Sequence, residues 1–304
     1  MGRRRKGGRP IHGWLIVDKP EGVTSTEVVG RARWAFDAQK AGHAGTLDPF
    51  ATGLLAVAFG EATKTVPYAQ DGLKTYHFTV RWGQATTSDD REGEICATSD
   101  LRPDAAAIEA ALPAFRGEIM QTPPLFSAVK VDGERAYDIA RRGDTAELKA
   151  RPLTVHRLEL LEVIDADHAV IEMICGKGGY VRSIARDLGA ALGCHGHVAS
   201  LRRLASGGFD LEGALRFEAL EALKDDADRD DHLQPVEAGM GDAPVFDLPD
   251  SLAARIDHGD NSAVPAIDAP VYWLSYQDTP LAIVERDGAA PPKLKRVFRF
   301  EDQE

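Results

Sequence analysis

From Lys74 to Trp82 the chain alternates, with Tyr76, Phe78 and Val80 on one side and Thr75, His77 and Thr79 on the other. Successive side chains of a strand point to opposite faces, so this stretch predicts a strand with one face on a core. Gly53 to Phe59 (Gly-Leu-Leu-Ala-Val-Ala-Phe) has no polar side chain and is bounded by glycines, which predicts a strand covered on both faces. Gly13 to Asp18 is a second apolar run, ended by a turn at Lys19-Pro20, and Leu125–Val131, 153–163 and 168–175 are further predicted strands. Helical spacing occurs in three places. Thr24-Ser25-Thr26 opens a helix through Val28, Val29 and Ala32 towards Phe36. Ala105 to Phe115 repeats apolar residues at Ile108, Leu112 and Phe115, and Tyr180 to Leu192 does so at Val181, Ile184, Ala185, Leu188 and Leu192. These elements do not alternate as βαβ units, so the predicted class is α+β, with an extended, largely antiparallel sheet.

Residues 1–12 form a basic arm, expected to be flexible, with no apolar segment behind Met1-Gly-Arg-Arg-Arg-Lys6 to make it a secretory signal. The longest apolar run, Leu54 to Phe59, is far too short to span a membrane. Cys96, Cys175 and Cys194 are odd in number and show no CxxC spacing, which argues against a disulfide framework or a cysteine zinc site and fits a reducing, cytoplasmic compartment. A main body is expected over 13–235. The acidic run Asp225 to Asp231 is the candidate linker to a small β-rich module at 241–304, which has strand-like pieces at Val271–Tyr276 and Leu281–Glu285. Net charge is −12, but residues 1–204 carry 27 Lys/Arg against 26 Asp/Glu, and residues 205–304 carry 9 against 22. The acidity lies in the tail, so the overall charge does not exclude a phosphate-rich partner for the body.

The densest unusual stretch is Gly42-His43-Ala44-Gly45-Thr46-Leu47-Asp48-Pro49, predicted to be a loop. Its glycines permit close approach of a ligand, and it carries both an imidazole and a carboxylate. By itself Asp48-Pro49 also reads as a turn initiator. Tyr76 on its strand reads equally as packing. Gly176-Lys177-Gly178-Gly179-Tyr180-Val181-Arg182 is a glycine-rich turn into a helix without the phosphate-loop spacing, and Leu201-Arg202-Arg203 is a short basic patch.

Taken together and in order, Lys19-Pro20, the Gly42–Pro49 loop, Gly60-Glu-Ala-Thr-Lys64, Lys74-Thr-Tyr76, Lys177-Gly-Gly-Tyr180-Val-Arg182 and Leu201-Arg-Arg-Leu204 make the chain resemble the TruB-type pseudouridine synthases. The resemblance runs from about Gly13 to about Leu204. It implies a pseudouridine-synthase-like mixed sheet flanked by helices, and isomerisation of uridine 55 in the T-arm of tRNA by base flipping. It also implies no metal and no organic cofactor; no membrane partner is expected from the short apolar runs, and a monomer is the default expectation. Through it, Asp48 takes the place of the catalytic carboxylate and Arg182 that of its partner. Tyr76 matches the aromatic that stacks on the flipped base, and His43 a contact to the vacated loop. Tyr180 and Leu201 match pocket walls, and Asp90, after Thr87-Ser88-Asp89, a contact to a neighbouring flipped nucleotide. Lys19 and Lys64 are phosphate or structural lysines. Gly179 departs from the hydroxyl residue common in the family, and Ser88 from a threonine. The tail resembles a PUA-type RNA-binding module weakly, and its acidity predicts little phosphate affinity.

Two other functions are compatible with parts of this pattern. A non-catalytic RNA-binding protein or tRNA-folding chaperone on the same scaffold would tolerate loss of Asp48. A glycoside hydrolase would need a second carboxylate, for which Asp90 is the candidate within the matched motifs. Residues 121–150, with Pro123-Pro124, Lys130, Gly133, Arg135, Arg141 and Arg142, are expected to form a mobile RNA clamp.

Overall fold

The computed structural model describes residues 7–300 apart from 128, 132, 137, 138, 140, 141 and 143–146. The chain begins β1 (Gly13–Lys19), α1 (Ser25–Ala35), β2 (Ala41–His43), β3 (Thr52–Phe59), α2 (Val66–Asp71) and β4 (Lys74–Trp82). It continues β5 (Gln84–Thr86), β6 (Ile95–Thr98), α3 (Ala105–Ala111), β7 (Gly117–Gln121), β8 (Lys130–Val131) and β9 (Glu134–Arg135). Then come β10 (Arg151–Val163), β11 (His168–Cys175), α4 (Val181–Ala191), β12 (Gly196–Ser206) and β13 (Leu215–Arg216). The tail holds β14 (Val245–Asp247), α5 (Asp250–Asp257), β15 (Val271–Tyr276), β16 (Thr279–Glu285) and β17 (Lys293–Val297).

Among the described residues a nine-stranded sheet runs in the order β13-β1-β3-β12-β4-β11-β10-β7, with β2 added along β3. Only β1–β13 and β3–β12 pair in parallel, so the sheet is mixed and largely antiparallel. The apolar run of β3 is buried on both faces. Leu55, Val57 and Phe59 pack with Val28 and Ala32 of α1, while Leu54, Ala56 and Ala58 pack with Trp14 and Phe209. In β4 the predicted alternation holds, with Tyr76, Phe78, Val80 and Trp82 buried. These side chains meet Ile184, Ala185 and Leu188 of α4, each such burial contributing roughly 1.5–3 kcal/mol for a large apolar side chain. Gly53 lies where β3 meets β12, with φ 97°, and a Cβ there would stand 2.2 Å from the Arg203 carbonyl oxygen. Only glycine permits that approach.

Several local expectations are corrected. The helix expected over Ala105–Phe115 is α-helical only to Ala111 and finishes as a 3-10 turn, because Pro113 has no N–H to continue the ladder. Leu125 to Ser127 form bends, and only Lys130–Val131 of that predicted strand is paired. Part of the Gly42–Pro49 loop, Gly42 and His43, is strand, paired with Ala58 and Val57. The long central strand β12 escaped sequence reading, because bulges after Val198 and Arg203 break its period-two pattern. The acidic run Asp225–Asp231 lies within 3-10 turns and short loops, and Arg9 pairs with Asp230. Residues 1–6 of the basic arm lie outside the described residues, but from Arg9 the backbone is held by Asp37 and Gln39. Ten residues of the 121–150 clamp segment, Arg141 included, also lie outside them.

The tail sheet runs β14-β15-β16-β17. Ile283 and Phe298 share a buried cluster with Trp14, Leu54 and Met240 of the body, and Tyr68 Oη donates to Glu285 at 2.7 Å.

Candidate active site

The loop carrying Asp48 is held from three sides. On α1, Thr24 and Glu27 form a reciprocal capping box, which leaves Ser25 facing inward. Its hydroxyl accepts the Leu47 N–H at 2.9 Å and donates to the Leu47 carbonyl at 3.1 Å. From β1, the Lys19 ammonium donates to the carbonyls of Val23 at 2.6 Å, Pro20 at 2.9 Å and Pro49 at 3.1 Å. From β12, the Arg203 guanidinium donates to Leu54 at 2.8 Å, Gly45 at 3.2 Å and Thr46 at 3.5 Å. These contacts give side-chain donors to carbonyls of the loop and of the segments beside it.

Asp48 meets Arg182 in a two-pronged pair, Nε to Oδ2 at 3.0 Å and an Nη to Oδ1 at 3.3 Å. Arg182 stands in the first turn of α4, which Tyr180 precedes. Its other donors go to the Ser88 carbonyl at 3.1 Å, the Phe126 carbonyl at 2.9 Å and the Asp90 carboxylate at 3.4 Å. Asp90 is fixed by Ser88 Oγ at 2.5 Å and the Glu92 N–H at 3.0 Å, and its neighbours hydrogen-bond Val198 of β12. One cation thus serves two carboxylates. Asp90's side chain is 5% exposed and Asp48's 35%, so the surplus negative charge faces the opening. Burial pushes the Asp48 carboxyl above its ordinary value, Arg182 pulls it back and Asp90 pushes it up again. The result is a more basic carboxylate than a solvated one.

Tyr76 and Leu201 line the same buried cluster as Leu47 and Phe50 of the loop. The Tyr76 hydroxyl lies against Arg203, whose charge opposes the upward shift that burial imposes on it. Tyr180 is half-buried, within the fields of Arg182, Asp48 and Arg151. Its backbone exchanges two hydrogen bonds with the Gln121 amide, at 2.9 and 3.1 Å. His43 sits at the loop entrance, and burial followed by the nearby Arg203 charge lowers its pKa, keeping the ring neutral at physiological pH.

Asp48, Arg182, Asp90, Tyr76, Tyr180, Leu201 and His43 are therefore gathered by strands β2, β4 and β12, the Asp48 loop, the turn between β5 and β6, and the N-terminal end of α4. Asp90 is enclosed and faces Arg182. Lys19 is fully buried with its ammonium on carbonyls, the arrangement of the structural alternative. Lys64 pairs with Glu61 and donates to the Val297 carbonyl at 2.8 Å, away from the site and towards the tail. Sequence reading missed Ser25, Gln121 and Arg203; Arg203 looked like half of an uninformative basic patch. Among the described residues no cluster of three or more His, Cys, Asp or Glu side chains is placed to hold a metal. One open carboxylate backed by a cation, beside an aromatic wall, suits nucleophilic attack or proton abstraction. The enclosed Asp90 does not provide the second carboxylate of a glycoside hydrolase.

The family model for the N-terminal domain of TruB family pseudouridylate synthases matches residues 33–181, and that for the tRNA pseudouridylate synthase B C-terminal domain matches residues 182–240. The tRNA pseudouridine synthase B of Dinoroseobacter shibae is 57% identical over 303 residues, 98% of this chain and 99% of the relative. That of Ruegeria pomeroyi is 54% identical over 302 residues, covering 98% and 99%. Among solved structures, a chain of a Cbf5-Nop10-Gar1 complex superposes with a TM-score of 0.72 at 25% identity, covering 94% of this chain and 85% of that one. A chain of an H/ACA RNP bound to a substrate RNA containing 2′-deoxyuridine gives 0.70 at 21% identity, covering 100% and 92%, a likeness of fold.

Proposed function

The chain belongs to the TruB family of pseudouridylate synthases, and from that premise we propose that it isomerises uridine 55 in the T-arm of tRNA, with Asp48 as its catalytic carboxylate. Action on tRNA is what the relatives' names state, and the chain spans nearly their whole length. The observation that carries the assignment of Asp48 is its pairing with Arg182, which leaves it as the open carboxylate of a buried triad.

The reaction breaks the N1–C1′ bond, turns the base, rejoins it through C5 and releases the C5 proton. The uridine must first leave its stack, at a cost of a few kcal/mol. Stacking on Tyr76 offsets roughly 1–3 kcal/mol of that cost, with Tyr180 and Leu201 closing the pocket. Neutral His43 contacts the loop that the base has left. Asp48 then acts on the sugar as nucleophile or as base in a glycal route, and Arg182 stabilises its charge whenever it is ionised. In this reading the enzyme works as a monomer in the cytoplasm, without metal or organic cofactor. No helix among the described residues is long and apolar enough to cross a membrane.

Asp48→Asn tests the assignment through tritium release from C5-labelled uridine in tRNA, with pseudouridine mapped in the product. Release is expected to be abolished while tRNA binding persists. Wild-type release from the variant would overturn the role of Asp48, whereas absence of release from the wild-type protein itself would favour a non-catalytic, RNA-folding function.

A further inference from the structure

On the side of Tyr180 towards β7 and β10 lies a cavity of about 340 Å³. Its walls include the apolar Pro152 and Leu153, and its cations are Arg151 and Lys177. That volume falls at the lower end of the range for small-ligand sites. Arg151 is the register partner of Gln121, and Gln121 is the residue that clamps the Tyr180 backbone. The cavity and the catalytic pocket thus share a wall. Arg151 is exposed and, among the described residues, no side-chain hydrogen bond or ion pair engages its guanidinium. Lys177 pairs with Asp71 at 2.6 Å, but both side chains are more than half exposed, so an incoming anion can compete for the ammonium.

We propose that this cavity is a phosphodiester subsite, in which Arg151, with Lys177, takes a phosphate flanking the target nucleotide while the ribose rests on Pro152 and Leu153. The proposal rests on the RNA-modifying reading above. A flipped nucleotide stays covalently tied to both neighbours, so its two phosphates must lie at the mouth of the pocket that takes its base. The guanidinium beside the Tyr180 wall supplies the forked donor that phosphate oxygens accept. Phosphate contacts set register without reading sequence, so this subsite orients the uridine and does not select it.

The test measures binding of a T-arm stem-loop RNA at several salt concentrations. The proteins are wild type, Arg151→Ala and Arg151→Lys, all carrying Asp48→Asn so that no chemistry intervenes. Arg151→Ala is expected to raise Kd about tenfold, equivalent to 1.4 kcal/mol, and to reduce the salt slope by about one; Arg151→Lys should restore most of that slope. An uncharged methylphosphonate at one of the two linkages flanking the target should reproduce the loss in the Arg151-intact protein and add little in Arg151→Ala. An unchanged salt slope, or losses that multiply fully at both linkages, overturns the subsite. Failure of the underlying reading is distinct, since it would appear as absence of pseudouridine from the wild-type enzyme.

Discussion

Arg203 on β12 and Tyr76 on β4 are register partners, and the guanidinium that meets the tyrosine hydroxyl also holds the carbonyls of Gly45, Thr46 and Leu54. One buried cation therefore fixes the aromatic platform relative to the loop that carries Asp48. Arg203→Met should cost about 3 kcal/mol in urea unfolding, because it strands buried carbonyls. Arg203→Lys should recover part of that stability, with kcat still at least tenfold low, because an ammonium cannot span the fork. A lysine variant with wild-type kcat would show that the forked geometry does not place Tyr76.

The Asp48 carboxyl has a raised pKa, so the native chain holds this proton more tightly than the unfolded chain does. Its ionisation therefore costs stability as pH rises from the ordinary value of 3.8 through the raised one. Asp48→Asn should melt higher than wild type at neutral pH, with the difference closing in acid below that ordinary value. Thermal unfolding across pH checks this. A lower melting temperature at neutral pH would mean that attraction to Arg182 outweighs burial.

Lys19 separates a structural lysine from an RNA contact. Lys19→Met should lower stability by about 3 kcal/mol, since the carbonyls of Pro20 and Val23 lose the ammonium and that of Pro49 keeps only the Gly22 N–H. The salt slope of tRNA binding should stay as in wild type, whereas loss of a phosphate contact would reduce it by about one. A reduced slope would return Lys19 to the RNA interface.

Gly179 owes its identity to a neighbour. A Cβ there would stand 2.7 Å from the Cys175 sulfur. Gly179→Thr should therefore destabilise the protein by about 1–3 kcal/mol, and Cys175→Ala in the same chain should relieve most of that loss. Additive costs in the double variant would rule out the steric pairing.

Tyr76, Phe78 and Val80, the apolar run of β3 and the cap at Thr24 were legible because each expresses a local rule, one face buried along one element. The weakness of the same rules shows in β12. Its bulges shift the alternation, and Arg203 is buried there against a pattern that marks arginine as exposed. At Leu125–Ser127 an apolar segment looked like a strand, but it lacks the neighbour that would make it one.

The α+β class, the principal strands and helices and, through the family resemblance, the residues from which the site is built could all be read from the amino-acid order. Which of those residues meet was settled only by the tertiary structure. Asp48 and Arg182 are 134 positions apart, and their pairing depends on how α4 and the loop seat on one sheet. The same seating encloses Asp90, spends Lys19 on carbonyls and turns Lys64 towards the tail. Periodicity encodes which face of an element is buried; the partner of a charge depends on strand register and on which carbonyls lack a donor, and both are set only once distant elements meet.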